Sequence, residues 1–254
     1  MSIYNNYLFY MTKIITILLS CMSLFANELF LYDANEKTEL SEVINNKLNV
    51  LPTTNGKTFT LSNGLSITTK TNDYANYIFP QQIAVNQLEN TSVYFSQTQT
   101  VYENDFKLPN IVKVKESLFN FTFDGEIYCV NATTNVYNIG TAMGFINFGK
   151  SKFFAKSGSK YTHIYVVEGT ILVLDGKSSK KKQLKEGDYL VITPQVNLSP
   201  RSNVGISTGN SFSVKEVDDT EKEIHTKELE KLKNKLDNVL FISYSTNIFG
   251  IKLK

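Results

Sequence analysis

Residues 161–194 read YTHIYVVEGTILVLDGKSSKKKQLKEGDYLVITP. Apolar and polar side chains alternate along the stretch, and glycines interrupt it at Gly169, Gly176 and Gly187. Period-two alternation marks half-buried strands, and glycine beside Asp, Lys or Ser marks turns or bends. The segment therefore reads as three or four short strands. Glycine is suited to positions that a side chain would crowd, so Gly169 and Gly187 are expected where successive strands turn or bend.

Working outward, the same texture covers most of the chain from Leu29 to Val217. Leu65–Thr69, Tyr74–Phe79, Ile83–Leu88 and Ser92–Val101 are short runs rich in β-branched and aromatic residues. Residues 117–123 place Leu118, Asn120 and Thr122 between Phe119, Phe121 and Phe123, and Asp124–Gly125 reads as a hairpin turn into Ile127–Val130. Ala142–Phe148 and Ser151–Lys156 read as a second hairpin around Gly149. The 14 Tyr and 17 Phe, with no Trp, can fill a β core. Regular short strands predict an all-β fold, either a sandwich, a barrel or a short β-helix. The exception is Asp218–Asn238, where Ile224, Leu229, Leu232, Leu236 and Val239 form an apolar stripe and Thr220 with Glu223 suggests a capping box. A helix over about 219–238 is expected to pack on the β domain, followed by final strands at Phe241–Tyr244 and Ile248–Leu253.

The start of the chain reads as an address. Ile14–Phe25 is an apolar run behind Lys13 that ends at Ala26. It is too short to span a membrane and fits a secretory signal over residues 1–26, with Met11 the better start. Leu18-Leu19-Ser20-Cys21 also resembles a lipobox, which would put a lipid anchor on Cys21. The expected location is exported, in the periplasm or cell envelope, with no transmembrane helix in the mature chain. Removing residues 1–26 takes away one charge, Lys13, so 26 basic and 24 acidic residues become 25 and 24. A balance near neutral, with Arg201 as the single arginine, argues against nucleic-acid binding. Cys129 is then the remaining cysteine, so no intramolecular disulfide is expected, and its strand-like setting suggests a buried inert thiol.

Candidate chemistry is sparse. The alternation of residues 161–194 is also that of a cupin barrel, whose metal is held by several histidines and a glutamate, since imidazole and carboxylate suit Fe, Mn, Zn or Ni. This chain has two histidines, His163 and His225. His163 with Glu168 is the candidate metal pair, and it falls short of a usual ligand set. Cys129 with His163 is the one conceivable nucleophile and base. Asp73, Asp105, Asp124, Glu126, Glu168, Asp175, Glu186 and Asp188 could supply carboxylate pairs for glycoside hydrolysis, but most fall at turns. No nucleophile elbow, P-loop or dinucleotide glycine motif is present. Lys180-Lys181-Lys182 reads as a solvated turn. The expectation is no enzyme, no catalytic or metal residues and no cofactor.

Taken in order, five elements resemble a FecR-like domain. They are Gly64-Leu65-Ser66-Ile67-Thr68-Thr69, Leu88–Tyr94, Val130–Thr134 leading to Ile139-Gly140-Thr141, Glu168-Gly169-Thr170-Ile171-Leu172-Val173, and Leu184-Lys185-Glu186-Gly187-Asp188. Together they cover about residues 55–194. The family's proline after Thr134 is absent, and Asn138-Ile139 stands where it usually has Val-Arg. The resemblance implies a FecR-type β domain over 55–200, after a lead-in at 27–54 and before a C-terminal extension at 201–254. It implies a non-enzymatic envelope module that binds a protein or glycan. The alternatives are a cupin-like binder or metal enzyme centred on His163 and Glu168, and a surface protein that assembles through edge strands or its helix.

Overall fold

A computed structural model of the chain describes residues 28–45, 47–60, 64–79, 83–96, 120–178, 180–198 and 205–249. The signal segment, Cys21, Asp105 and the start of the strand read at 117–123 lie outside the described residues.

Fifteen strands precede one helix among the described residues. They are β1 (Glu28–Ala34), β2 (Glu39–Ile44), β3 (Lys47–Leu51), β4 (Lys57–Thr60), β5 (Ser66–Thr68), β6 (Ala75–Phe79), β7 (Ile83–Gln87), β8 (Ser92–Ser96), β9 (Asn120–Asn131), β10 (Tyr137–Thr141), β11 (Gly144–Gly158), β12 (Tyr161–Asp175), β13 (Lys181–Lys185), β14 (Tyr189–Leu198) and β15 (Gly205–Lys215), then α1 (Asp219–Phe249). All strands belong to one hydrogen-bonded network. It folds into two layers because β9, β11 and β12 change partners halfway along.

The first half of β9 pairs with β8 and β10, the second half with β7 and β11. The first half of β11 faces β10 and its second half faces β9. The first half of β12 pairs with β14 and its second half with β13. One layer therefore runs β15-β14-β12-β11-β9-β7-β6-β1-β4, and the other β13-β12-β11-β10-β9-β8-β5-β2-β3. The architecture is an all-β sandwich with a C-terminal helix.

The crossing points carry the glycines. Gly125 has φ +117° and Gly169 φ +87°, conformations that a side chain resists. A Cβ on Gly169 would lie 2.4 Å from the Lys150 carbonyl oxygen, and one on Gly125 2.3 Å from Thr91 Oγ1. Asp124–Gly125 and Phe148–Lys150, read from sequence as hairpin turns, are instead bends inside the continuous strands β9 and β11. Local turn chemistry says that the backbone bends there. It does not say whether the chain reverses or passes into the other layer.

Both layers turn apolar residues inward. Leu29, Tyr77, Val85, Cys129, Phe153 and Ile164 from the first meet Leu40, Ile67, Phe95, Ile139, Phe148 and Val173 from the second in one buried cluster. Phe148 and Phe153 contact edge to face across the layers, with ring centroids 5.0 Å apart. Gln87, fully buried, bolts β7 to β5: its Nε2 donates to the carbonyl oxygens of Ile67 (3.0 Å) and Thr91 (2.7 Å), and its Oε1 accepts from the Tyr77 hydroxyl (3.2 Å). Such a group is tolerated in a core because its hydrogen bonds are satisfied.

Two boundaries move. The 27–54 lead-in supplies β1, β2 and β3, and β15 from the expected C-terminal extension pairs along β14. Both are part of the sandwich. The expected strand at Phe241–Tyr244 is helix, because α1 runs unbroken to Phe249. A short aromatic and β-branched run has no periodicity of its own to decide between the two states. Residues 250–254 lie outside the described residues.

Candidate functional site

The helix caps on Asp218, whose Oδ1 accepts the Glu221 amide at 2.9 Å, rather than on Thr220. It lies on the outer face of the first layer. There Leu229, Leu232 and Leu236 close a second buried cluster with Ile78, Ala84, Tyr128, Val130, Phe154 and Tyr165. Fully burying a leucine contributes about 1.5–3 kcal/mol, so these three residues account for much of the docking. The expected stripe is one residue off at its start. Ile224 is 53 % exposed, while His225 is buried. The buried spacing is 225, 229, 232, 236, and a histidine at an apolar position hid the first member.

This interface gathers both histidines. His225 stacks on Phe154 (ring centroids 4.3 Å, interplanar 19°) and sits against Tyr165 and Tyr128. Its Nδ1 lies 3.0 Å from the Tyr128 hydroxyl. Its Nε2 has no hydrogen-bond partner among the described residues and lies 3.7 Å from Glu221 Oε1. His163, half-buried on the same face of β12, has its Nδ1 2.8 Å from the Tyr189 hydroxyl, and its ring contacts Tyr161 and Tyr189. Tyr189 in turn contacts Tyr165, which contacts His225. A run of aromatic rings thus links the two histidines. Sequence spacing could not show this, since 62 residues separate them.

Glu168 does not join His163. It forms an ion pair with Lys152 Nζ (2.8 Å), which also binds Glu230 of the helix at 2.5 Å. That triad ties β11 and the end of the first half of β12 to α1. Among the described residues no group of three or more His, Cys, Asp or Glu is placed to hold a metal ion. Cys129 is fully buried in the inter-layer core, where burial pushes its thiol well above its usual range. His163 lies on the opposite face of the first layer, so the pair weighed as nucleophile and base is separated by the sheet.

Four of the other candidate carboxylates are held structurally, while Asp124 and Glu186 are exposed. Asp73 accepts from the Thr38 hydroxyl and from the amides of Lys70 and Tyr74. Glu126 pairs with Lys156 at 2.5 Å. Asp188 accepts the Lys185 amide. Asp175 receives the Lys177 and Asn210 amides, the Ser178 hydroxyl and the Asn210 side chain. Asp73, Glu89, Glu126, Lys156 and Tyr161 line a polar cleft of about 550 Å³ beside the Gly125 crossing. Each of the three carboxylates there already has a protein partner, Glu89 taking the Asn72 amide at 2.5 Å. Lys181 and Lys182 are exposed as expected, but they belong to strand β13 rather than to a turn.

Both histidines are held below their usual range. For His225 burial is the main cause, opposed by Glu221 and Glu126. For His163 burial leads, helped by Lys156 and Lys215. A histidine depressed in the folded state stabilises it fully above its unfolded pKa of about 6.5, and the contribution is lost as pH falls through the folded value. Acidification from pH 7.5 to 5 is therefore expected to lower hydrogen-exchange protection over residues 225–236. His225→Gln should flatten that dependence, and His163→Gln should leave the part due to His225.

No family model matches the chain, and no curated protein matches it. Among solved structures it is similar to two crystal structures, at 1.65 and 2.50 Å, of a protein described as a "putative anti-sigma factor" from Parabacteroides distasonis ATCC 8503. Each is 13% identical, with 60% of either chain covered and a TM-score of 0.42. The chain thus spans 60% of the length of these neighbours. Among the described residues no helix is long and apolar enough to cross a membrane.

Proposed function

We propose that this chain is an exported, non-enzymatic β module of the bacterial cell envelope, of FecR-like type, that works by binding a protein or glycan partner. The observation that carries this reading is the engagement of its reactive side chains. His163, Glu168, His225, Cys129 and the carboxylates of the polar cleft are each tied into core, interface, hydrogen-bond or ion-pair contacts. Two further features support it. The ordered motifs from Gly64 to Asp188 are those of the FecR-like resemblance, and the apolar run before Ala26 is that of a secretory signal. The mature chain, residues 27–254, immobilised and exposed to cell-envelope extracts, is expected to retain one partner that withstands salt washing and competes with free protein. Clean negatives in several extracts would sink the binding role. Zinc or iron retained stoichiometrically after dialysis would turn the reading towards metal chemistry.

A further inference from the structure

Among the described residues the sandwich ends in four strand edges: β4 and β15 on the first layer, β13 and β3 on the second. Exposed edges offer unpaired backbone groups, and proteins that stay monomeric blunt them with short strands, lysines or bulges. Three of these edges are blunted. β13 carries Lys181, Lys182 and Lys185. β4 is four residues long, begins with Lys57 and turns Phe59 into the core. The β14–β15 ladder shifts register at Gln195/Val196.

β3 is different. Among the described residues its Lys47-Leu48-Asn49-Val50-Leu51 pairs only with β2, in unbroken register. Leu48 is 69 % exposed and Val50 66 %, and Val43, directly opposite Leu48, is exposed as well. Four of the exposed large hydrophobic residues among those described, Val43, Ile44, Leu48 and Val50, belong to this one hairpin.

We propose that β3 is a homodimerisation edge, at which two copies of this chain pair antiparallel about a two-fold axis through Asn49. That register is the one two-fold arrangement that pairs all five residues of β3. It sets Leu48 against Val50 of the second copy, and Lys47 against Leu51 of the second copy, so no like charges meet. Leu48 and Val50 lie on the outer face of the second layer with Val43, and pairing extends that apolar row from one copy into the next. Facing apolar pairs of this kind stabilise a ladder, and a closed two-fold contact leaves no free β3 edge for fibre growth. A five-residue strand pair is smaller than the roughly 800 Å² per partner of a stable interface, so the dimer is weak and concentration-dependent.

The test uses the mature chain. Sedimentation velocity from about 5 to 500 μM should show a dimer growing with concentration, and Val50→Lys should shift the midpoint at least about tenfold. Far-UV circular dichroism checks that the variant folds. Asn49→Cys places two cysteines face to face across the axis, with Cα atoms roughly 4.5–5.5 Å apart, within disulfide reach. Mild oxidation should then crosslink it, while Lys182→Cys on the β13 edge should not crosslink. A monomer throughout the range, or equal crosslinking at positions 49 and 182, overturns the proposal. So does a monomer that captures an unrelated strand at β3. Partner retention from envelope extracts is read separately, so neither failure is mistaken for the other.

Discussion

Gly169→Ala is expected to lower the unfolding free energy by about 2–5 kcal/mol, a large part of the roughly 5–15 kcal/mol that holds a native protein folded. Two costs combine. The residue stands at φ +87°, and placing an L-residue in the left-handed region costs roughly 1–2 kcal/mol. The added Cβ also meets the Lys150 carbonyl oxygen at 2.4 Å and the Ser151 Cα at 3.0 Å, both backbone atoms of the paired strand β11. Neither can swing aside as a side-chain tip would, and forced displacement of packed structure typically costs a further 1–3 kcal/mol. Gly187 separates the two terms. Its φ is +85°, but a Cβ there meets nothing within 4 Å. Gly187→Ala should therefore cost only about 1–2 kcal/mol. Urea denaturation of both variants checks the difference. Equal losses would show that Gly169 matters for its dihedral angle alone, and not as the point where β12 crosses between layers.

Asp175→Ala should produce a loss of similar size, about 3–5 kcal/mol. Asp175 ends β12 and is nearly inaccessible. Its carboxylate accepts the amides of Lys177 (3.0 Å) and Asn210 (3.1 Å), the Ser178 hydroxyl and the Asn210 side-chain amide (2.5 Å). Asn210 Nδ2 passes the connection to the Met143 carbonyl oxygen at 2.7 Å. One carboxylate thus ties β12 and the turn after it to β15 and to the turn before β11. Truncation strands buried donors, each costing about 1–3 kcal/mol. Burial works against ionisation of Asp175, but the hydrogen bonds from Ser178, Lys177 and Asn210 outweigh it and hold the carboxyl below its usual range. Its stabilisation is then complete above the unfolded pKa of about 3.9 and disappears as pH falls through the folded value. The wild type should lose stability below about pH 4 more steeply than Asp175→Ala. Asp188→Ala, which removes one exposed turn contact to the Lys185 amide, should cost well under about 1 kcal/mol.

Much of this architecture is legible in the sequence. Alternation locates β5 to β8 and the β12–β14 region, because inward residues such as Ile67, Val85 and Ile164 recur at period two, even where α1 buries their neighbours Ala84 and Tyr165 on the other face. What was hidden is what depends on pairing partners. Asp124–Gly125 has the composition of a reversing turn, and only the register of β9 with β10 and β11 makes it a crossing. The β1–β3 strands share the strand-and-turn texture, but their place in the sandwich is hidden, because β3 and the end of β2 turn apolar residues to solvent, against the usual pattern. At the candidate site, His163 and Glu168 are engaged separately because five residues of extended strand set them roughly 16 Å apart along β12. The burial of His225 follows from Tyr128, Phe154 and Tyr165 on three different strands, which no local signal foretells.

The three strands that pass through both layers also determine how the molecule carries load. In a sandwich of separate sheets, a pull on one sheet is resisted by side-chain packing, which slides. Here tension applied at the β2–β3 end travels along the covalent backbone of β9, β11 and β12 into the helix-bearing layer. The layers cannot be sheared apart without breaking strand ladders, many bonds at once. Mechanical rupture should therefore begin at the helix, which is held on by side chains, and leave the two layers joined.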